Sequence, residues 1–200
     1  ERSFIQYQGK ILKAFTSMVK EICTHYPNHN IILRPHPSEN HDYWNSVAGD
    51  HNNLHVIHEG DVNAWILAAQ MVIHNSCMTG IQAFLLDKPV VSYKPVQSDQ
   101  FDYYLPNALS LITTNLDELL STIDEYLDQS NHIDHTERIE KFQIAENFIT
   151  GMTGNFSSDR ILDALGSFVF DYDTYKEPTD ENQRKNSRYQ GTKLSLKLMA

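Results

Sequence analysis

Residues 71–93, which read MVIHNSCMTGIQAFLLDKPVVSY, decide the fold class because a strand, a helix and a second strand follow one another there. The runs 71–74 and 90–93 are rich in apolar residues, and between them Ile81, Phe84 and Leu85 recur at helical spacing. Strands that are apolar throughout, rather than alternating with polar residues, are typical of a parallel sheet that is covered on both faces. The segment therefore predicts a βαβ unit.

The same alternation continues on both sides of this unit. Further strands are predicted at 31–33, 54–57 and 109–113, and a long polar loop at 96–107. Helices are predicted at 11–22, 42–48, 61–70, 116–127, 139–149 and 161–165. This order predicts an α/β, Rossmann-like domain with a mainly parallel sheet of about five strands over residues 1–170, followed by a polar, flexible tail over 171–200.

The charge, the apolar runs and the cysteines of the sequence limit the functions that this chain can have. A formal net charge of -10 argues against general nucleic-acid binding, and no run of 18 apolar residues is present to span a membrane. The two cysteines, Cys23 and Cys77, lie in apolar or helical contexts, which favours a reducing, cytoplasmic location. The basic residues after position 183 leave two interpretations open, contact with an anionic lipid surface or a partner, and a disordered end.

The residues that carry chemistry cluster just after predicted strands. In a parallel sheet, ligands bind at the carboxyl ends of the strands. The candidate binding residues at these ends are Arg34, His36, Glu59, Gly60, His74, Asn75 and Ser76, and Lys94-Pro95 lies at the next strand end.

The segment 74–80 joins a strand to a helix and is the first of two candidate anion sites. The first turn of a helix has unpaired N–H groups and partial positive charge, and the hydroxyls of Ser76 and Thr79 add donors. Gly80 permits the close approach of a ligand or of another part of the chain. A phosphate site is one interpretation. The other is ordinary helix capping by Asn75 or Ser76.

The segment Arg34-Pro35-His36-Pro37 is the second candidate anion site. Its prolines stiffen the loop, His36 can donate a hydrogen bond to phosphate, and Arg34 offers a planar fork of donors. The competing interpretation gives both side chains a structural role, with Arg34 in a salt bridge that holds the loop. On the ligand-binding interpretation, we expect His36, Ser76 and Thr79 to surround one cavity.

Other classes of site are disfavoured. Eight of the ten histidines fall between His25 and His74. His55 and His58 have a two-residue gap, but on a strand they would face opposite sides, and no carboxylate or cysteine joins them at a metal-ligand spacing. A phosphate-loop lysine motif, a glycine-rich dinucleotide fingerprint and a serine elbow are all absent from the sequence. We therefore predict no metal and no cofactor.

Several segments together resemble the C-terminal half of bacterial surface-carbohydrate biosynthesis proteins, which are similar to GT-B glycosyltransferases, capsule Kdo transferases and CDP-glycerol glycerophosphotransferases. The resemblance covers about residues 31–165. It rests on His36-Pro37, Trp65 with Ala68-Ala69, His74-Asn75-Ser76, Thr79-Gly80-Ile81-Gln82-Ala83, Lys88-Pro89-Val90-Val91-Ser92-Tyr93 and the segment Gly154-Asn155-Phe156-Ser157-Ser158-Asp159-Arg160-Ile161.

The resemblance implies a nucleotide-sugar-binding domain in which His36 contacts the donor phosphate and residues 76–79 line it from the helix end. Gln82 stands where the family commonly has an acid that contacts ribose, which puts ribose binding or activity in doubt. The family also implies an N-terminal Rossmann-like domain before residue 1. That domain would supply the acceptor site and the catalytic base, so no catalytic residue is assigned in this chain.

The function expected from the resemblance is donor binding in a cytoplasmic glycosyltransferase of surface polysaccharide biosynthesis, such as that of capsule or lipopolysaccharide. A peripheral position at the inner membrane is left open. Its partners would be a nucleotide-activated sugar and a glycan or lipid-linked acceptor. Two alternatives stay open. One is a CDP-glycerol-type phosphotransferase or a sugar-nucleotide 2-epimerase-like enzyme, which share the fold. The other is a non-catalytic module that binds a nucleotide or a protein partner.

Overall fold

A computed structural model describes residues 2–128, 135–152 and 154–166 of the chain. Its contacts divide the chain into two units, residues 1–150 and 151–200, and each is described by itself. The predicted boundary at residues 170 and 171 and the predicted tail lie outside the described residues.

Helices and short strands alternate through the first unit. The strands are β1 (Ile31–Leu33), β2 (Leu54–Val56), β3 (Val72–His74), β4 (Val90–Tyr93) and β5 (Leu111–Thr113). The helices are α1 (Arg2–His25), α2 (His41–Ala48), α3 (Val62–Ala68), α4 (Met78–Leu85), α5 (Tyr104–Ala108), α6 (Leu116–Leu127) and α7 (His135–Glu146). The second unit contains α8 (Ser157–Gly166). The predicted loop 96–107 was wrong at its end, where α5 begins.

Every strand pairing in the described chain is parallel, which confirms the α/β class and the parallel alternation. β1 pairs with β2, while β4 lies between β3 and β5, so the five strands form a two-stranded and a three-stranded sheet rather than one hydrogen-bonded sheet. Prolines keep two of the strands short. Pro35 follows β1 and Pro95 follows β4, and neither can donate a ladder hydrogen bond.

A single hydrophobic core joins the two sheets. Residues from α1, α2, α6 and the strands contribute to one buried cluster, which comprises Met18, Val19, Ile22, Cys23, Tyr26, Trp44, Val47, Leu54, Val91, Tyr93, Leu119 and Ile123. The apolar stripe of α1 therefore packs inward, as its helical spacing predicts. Both cysteines are free thiols, and Cys23 belongs to this core.

Side-chain caps begin three of the helices that follow strands. Asn40 accepts hydrogen bonds at the start of α2, Asp61 caps α3 as predicted, and Asn115 caps α6. The Thr114 amide, just before the cap of α6, donates to the Glu118 carboxylate at 2.8 Å. These polar contacts fix where each helix starts and therefore where each strand end points.

The turn from β3 into α4 depends on a glycine. A Cβ atom at Gly80 would lie 2.3 Å from Nε2 of His74, which is far inside van der Waals contact. Because His74 is buried, its ring cannot move away into solvent. Gly80 is therefore needed for close packing within the protein.

We predict that Gly80→Ala lowers the free energy of unfolding by about 1–3 kcal/mol, the range for overpacking a filled interior. The matched control is Gly9→Ala, because Gly9 lies within α1 and a Cβ there meets nothing within 4 Å. That control should raise stability by up to about 1 kcal/mol through helix propensity. Urea unfolding of both variants measures the difference, and equal effects would show that the His74 contact does not constrain position 80.

Candidate functional site

The carboxyl ends of β1 and β2 are joined by the Arg34 side chain. Its guanidinium donates to the backbone carbonyls of Ile57, His58, Glu59 and Gly60 at 3.4, 3.1, 2.9 and 3.2 Å. It also lies 5.8 Å from the ring centre of Trp65, whose indole N–H donates to Glu59 O. Arg34 therefore holds the loop after β2. The expected structural role is present, but carbonyl groups take the place of the expected salt bridge.

His36 lies on the surface of the loop after β1. Its Nδ1 accepts the Ser38 amide at 3.2 Å and lies 2.7 Å from the Ser38 hydroxyl, while the His36 amide donates to Glu39. An accepting Nδ1 places the proton of the neutral ring on Nε2. Nothing in the described part of the chain bonds that Nε2, so it is open to a ligand.

His74 is buried at the carboxyl end of β3 and supports the turn internally. Its Nδ1 accepts the Cys77 amide at 3.2 Å, and its Nε2 lies 2.7 Å from Ser110 Oγ, which donates to Pro106 O. These partners require the neutral ring with its proton on Nε2. Burial lowers the pKa of His74 to about 4. The expected ligand contact at His74 is therefore replaced by packing and hydrogen bonds within the chain.

The predicted capping of α4 by Asn75 or Ser76 was wrong. Cys77 is the N-cap residue of α4 and makes no side-chain capping bond. The Asn75 amide group instead donates to Tyr93 O at 2.8 Å, which ties the end of β3 to the end of β4. Ser76 has a φ of 45°, and this left-handed conformation accompanies a side chain turned into the interior, only 8% exposed.

A chain of buried polar groups extends inward from Ser76. Ser92 on β4 donates to Oδ1 of Asn107 at 2.8 Å, and Nδ2 of Asn107 donates to Ser76 Oγ at 2.9 Å. The Ser76 hydroxyl in turn faces Oδ1 of Asp102 at 3.5 Å. Asn107 and Ser92 were not predicted as site residues from the sequence. The only local signal was one serine inside an otherwise apolar strand.

Asp102 is the centre of the charged part of this edge. Lys94 Nζ lies 2.9 Å from its Oδ2, the Ser98 amide donates to the same oxygen at 2.9 Å, and the Tyr7 hydroxyl donates to Oδ1 at 2.5 Å. Burial acts to raise the pKa of Asp102, but the hydrogen bonds and the lysine charge outweigh it and hold that pKa below its ordinary value. Burial and the Asp102 hydrogen bond raise the pKa of Tyr7.

The outer part of this edge is the start of α4. Thr79 is partly exposed, and its hydroxyl lies 3.3 Å from Cys77 Sγ, while Met78 is 67% exposed. Gln82 is partly exposed one turn further on. Within the described ranges, its side chain makes no hydrogen bond. Thr79 and Gln82 therefore remain accessible, whereas Ser76 and His74 do not. The structure gives no contact that joins His36 to Ser76 or Thr79.

A depression lies at the opposite edge of the two-stranded sheet. Residues 27–30 and 50–53 line a volume of ≈ 430 Å³, and they precede β1 and β2. The side-chain amide of Asn53 already donates to the carbonyls of Cys23, Tyr26 and His29, so it serves the local structure of this depression. The depression therefore lies elsewhere than the cavity predicted around His36, Ser76 and Thr79.

Metal ligands do not cluster in the described chain. In residues 2–128, 135–152 and 154–166, no group of three or more histidine, cysteine or acidic side chains is placed to hold a metal ion. No helix of these ranges is both long and apolar enough to cross a membrane.

Comparisons of the chain with protein families, with curated proteins and with solved structures found no match. The resemblance to surface-carbohydrate glycosyltransferases therefore stays a prediction.

The buried His74 predicts a pH-dependent stability. Its folded-state pKa is lowered, so the unfolded chain takes up a proton first as the pH falls. The contribution should be complete above about pH 6.5 and should be lost between about pH 6.5 and 4, to a total of about 3 kcal/mol.

Urea unfolding of the parent and of His74→Gln across this range measures the effect. Glutamine retains a donor for Ser110 but does not titrate, so the difference between the two curves should shrink as the pH falls from 6.5 to 4. Parallel curves would show that His74 does not titrate as its burial requires.

Proposed function

We propose that this chain is the donor-nucleotide-binding half of a GT-B-like glycosyltransferase of bacterial surface polysaccharide biosynthesis, and that it holds the nucleotide phosphate at the carboxyl edge of β3 and β4. One observation carries the proposal. Hydrogen-bond donors gather at that edge beside a helix start, α4, that lacks a side-chain cap.

The fold supports this position. Ligands of parallel α/β proteins bind outside the carboxyl ends of the strands, and β3 and β4 are adjacent and parallel. Asn75 ties the two strand ends together, so the groups around them are held in place. A rigid support of this kind is what a binding site needs.

The accessible groups suit an anion. The amides in the first turn of α4 and the partial positive charge of the helix favour a phosphate. The Thr79 hydroxyl adds a donor, and Lys94 brings positive charge to the same edge. The proposed phosphate ligands are therefore Thr79, the start of α4 and Lys94. Ser76 instead supports the site from within, through Asn107.

The chemistry of such a site is electrostatic. In glycosyl transfer the bond from sugar to phosphate breaks, and donors on the phosphate stabilise the leaving nucleotide. The neutral, partly exposed Gln82 would accept a hydrogen bond from a ribose hydroxyl. The base that deprotonates the acceptor would come from outside the described residues.

We predict that the chain binds a pyrimidine or purine nucleotide with a measurable rise in melting temperature. A panel of CMP, CDP, UDP and GDP separates the donor types. A ligand at a hundred times its dissociation constant should add about 2.7 kcal/mol of stability. If none of the four raises the melting temperature at millimolar concentration, the proposed donor site is excluded.

We predict that Thr79→Val weakens binding of the nucleotide found in that panel by about 1.5–3 kcal/mol, because a hydrogen bond to a charged phosphate is lost. Valine keeps the shape of threonine. Thr24→Val is the matched control, since the Thr24 hydroxyl donates to Lys20 O on the exposed surface of α1. Calorimetric titration measures both affinities, and a loss of the same size in both variants would contradict the assignment of Thr79.

A further inference from the structure

The Asp102 carboxylate receives hydrogen bonds from several separate parts of the fold. Tyr7 comes from α1, Lys94 follows β4, and Ser76 precedes α4. Only the Ser98 amide belongs to the same loop as Asp102. Three of these contacts are 2.9 Å or shorter, and the Ser76 contact is 3.5 Å.

The groups around this carboxylate form a set of donors. The Asp102 carboxylate is contacted by an ammonium group, a phenol, a serine hydroxyl and a backbone amide, all of which are hydrogen-bond donors. The ammonium group also adds positive charge. Donor sets of this composition bind carboxylate and phosphate oxygens alike. A phosphate group has more oxygens and more negative charge than Asp102, so it could accept the same bonds.

The position of this donor set agrees with a ligand site. Lys94 directly follows β4, and Ser76 lies between β3 and α4, so both are at the carboxyl edge of the three-stranded sheet. The side chains of Lys94 and Asp102 are 14% and 10% exposed, which leaves the ion pair at the border of solvent.

We propose that Tyr7, Lys94 and Ser76 form a phosphate site which the Asp102 carboxylate occupies when no ligand is bound, and that a ligand phosphate replaces it as the loop 98–102, together with the Ser98 amide, moves outward. The identity of the ligand as a nucleotide phosphate rests on the proposed function, whereas the anion site itself rests on the donors around Asp102.

The loop is built so that it can move as a unit. The amides of Phe101 and Asp102 both donate to Ser98 O, which closes a local turn without help from neighbouring elements. The turn is fastened to the rest of the fold by the Asp102 carboxylate and by Phe101, whose ring packs at 5.3 Å from those of Phe4 and Tyr7. A ligand can bind only after these contacts break, so the closed resting state lowers the apparent affinity for that ligand.

The test is the affinity for inorganic pyrophosphate, measured by titration calorimetry on the full chain and on Asp102→Asn. Asparagine is isosteric with aspartate and keeps one acceptor oxygen, which can accept from Tyr7 or from the Ser98 amide but not from both, and it removes the negative charge that pairs with Lys94. We expect Asp102→Asn to bind pyrophosphate about tenfold more tightly, or better, than the parent. The double variant Asp102→Asn with Lys94→Gln should lose this gain.

Asp124→Asn is the matched control, because Asp124 also accepts a tyrosine hydroxyl, that of Tyr26 at 2.8 Å, but lies on α6. Its pyrophosphate affinity should equal that of the parent. Equal affinities of the parent and Asp102→Asn, or a gain that survives removal of Lys94, would overturn the proposal.

A second measurement, the amide resonances of the parent chain, needs no variant. Pyrophosphate added to the parent should shift the amide resonances of Ser98 and Asp102, and the absence of a shift at both amides at millimolar concentration overturns the proposal.

Repeating the titration of Asp102→Asn with CDP and UDP shows whether the site prefers a nucleotide or a free phosphate. Tighter binding of one of them than of pyrophosphate identifies a nucleotide ligand. Pyrophosphate binding with no preference for nucleotides keeps the anion site and removes the proposed function.

Discussion

The close contact between the His74 ring and Gly80 is the constraint on which the edge of the three-stranded sheet depends. The ring fills the space beside the helix, accepts the amide of Cys77 and reaches Ser110, so one side chain links β3, the start of α4 and the segment before β5. A charged imidazole cannot accept the Cys77 amide, so the contact requires the neutral form. The position of α4 thus depends on the buried His74 ring, which stays in its neutral form with Nδ1 unprotonated.

The same contact determines which neighbouring side chains are free to meet a ligand. His74 accepts the Cys77 amide, and no side chain caps the first turn of α4. Asn75 is then used to join β3 to β4, and Ser76 turns inward to Asn107. The consequence is a rigid inner layer of satisfied polar groups under an outer layer that contains Thr79 and the first amides of the helix.

The sequence predicted those features that depend on local order along the chain. Apolar runs located the five strands, and helical spacing located α1, α4 and α6, because burial of one face sets the spacing of apolar residues along the chain. The N-cap residue Asp61 located α3. Partners that come from distant positions left no local pattern. Tyr7 and Asp102 are 95 residues apart, and Asn107 lies 31 residues after Ser76. For the same reason, the four carbonyl partners of Arg34 could not be deduced from its position after β1.

A polar residue at a strand end is therefore ambiguous until its partners are known, and the nature of those partners separates the cases. Arg34 is matched to neutral carbonyls that belong to a closed loop, which no ligand would replace without unfolding that loop. Lys94 is matched to a carboxylate on a side chain, and only a small turn needs to move to release it. A buried ion pair gains little net stability when its desolvation is counted. The pair of Lys94 and Asp102 is better explained as a position held for another anion than as a major source of stability.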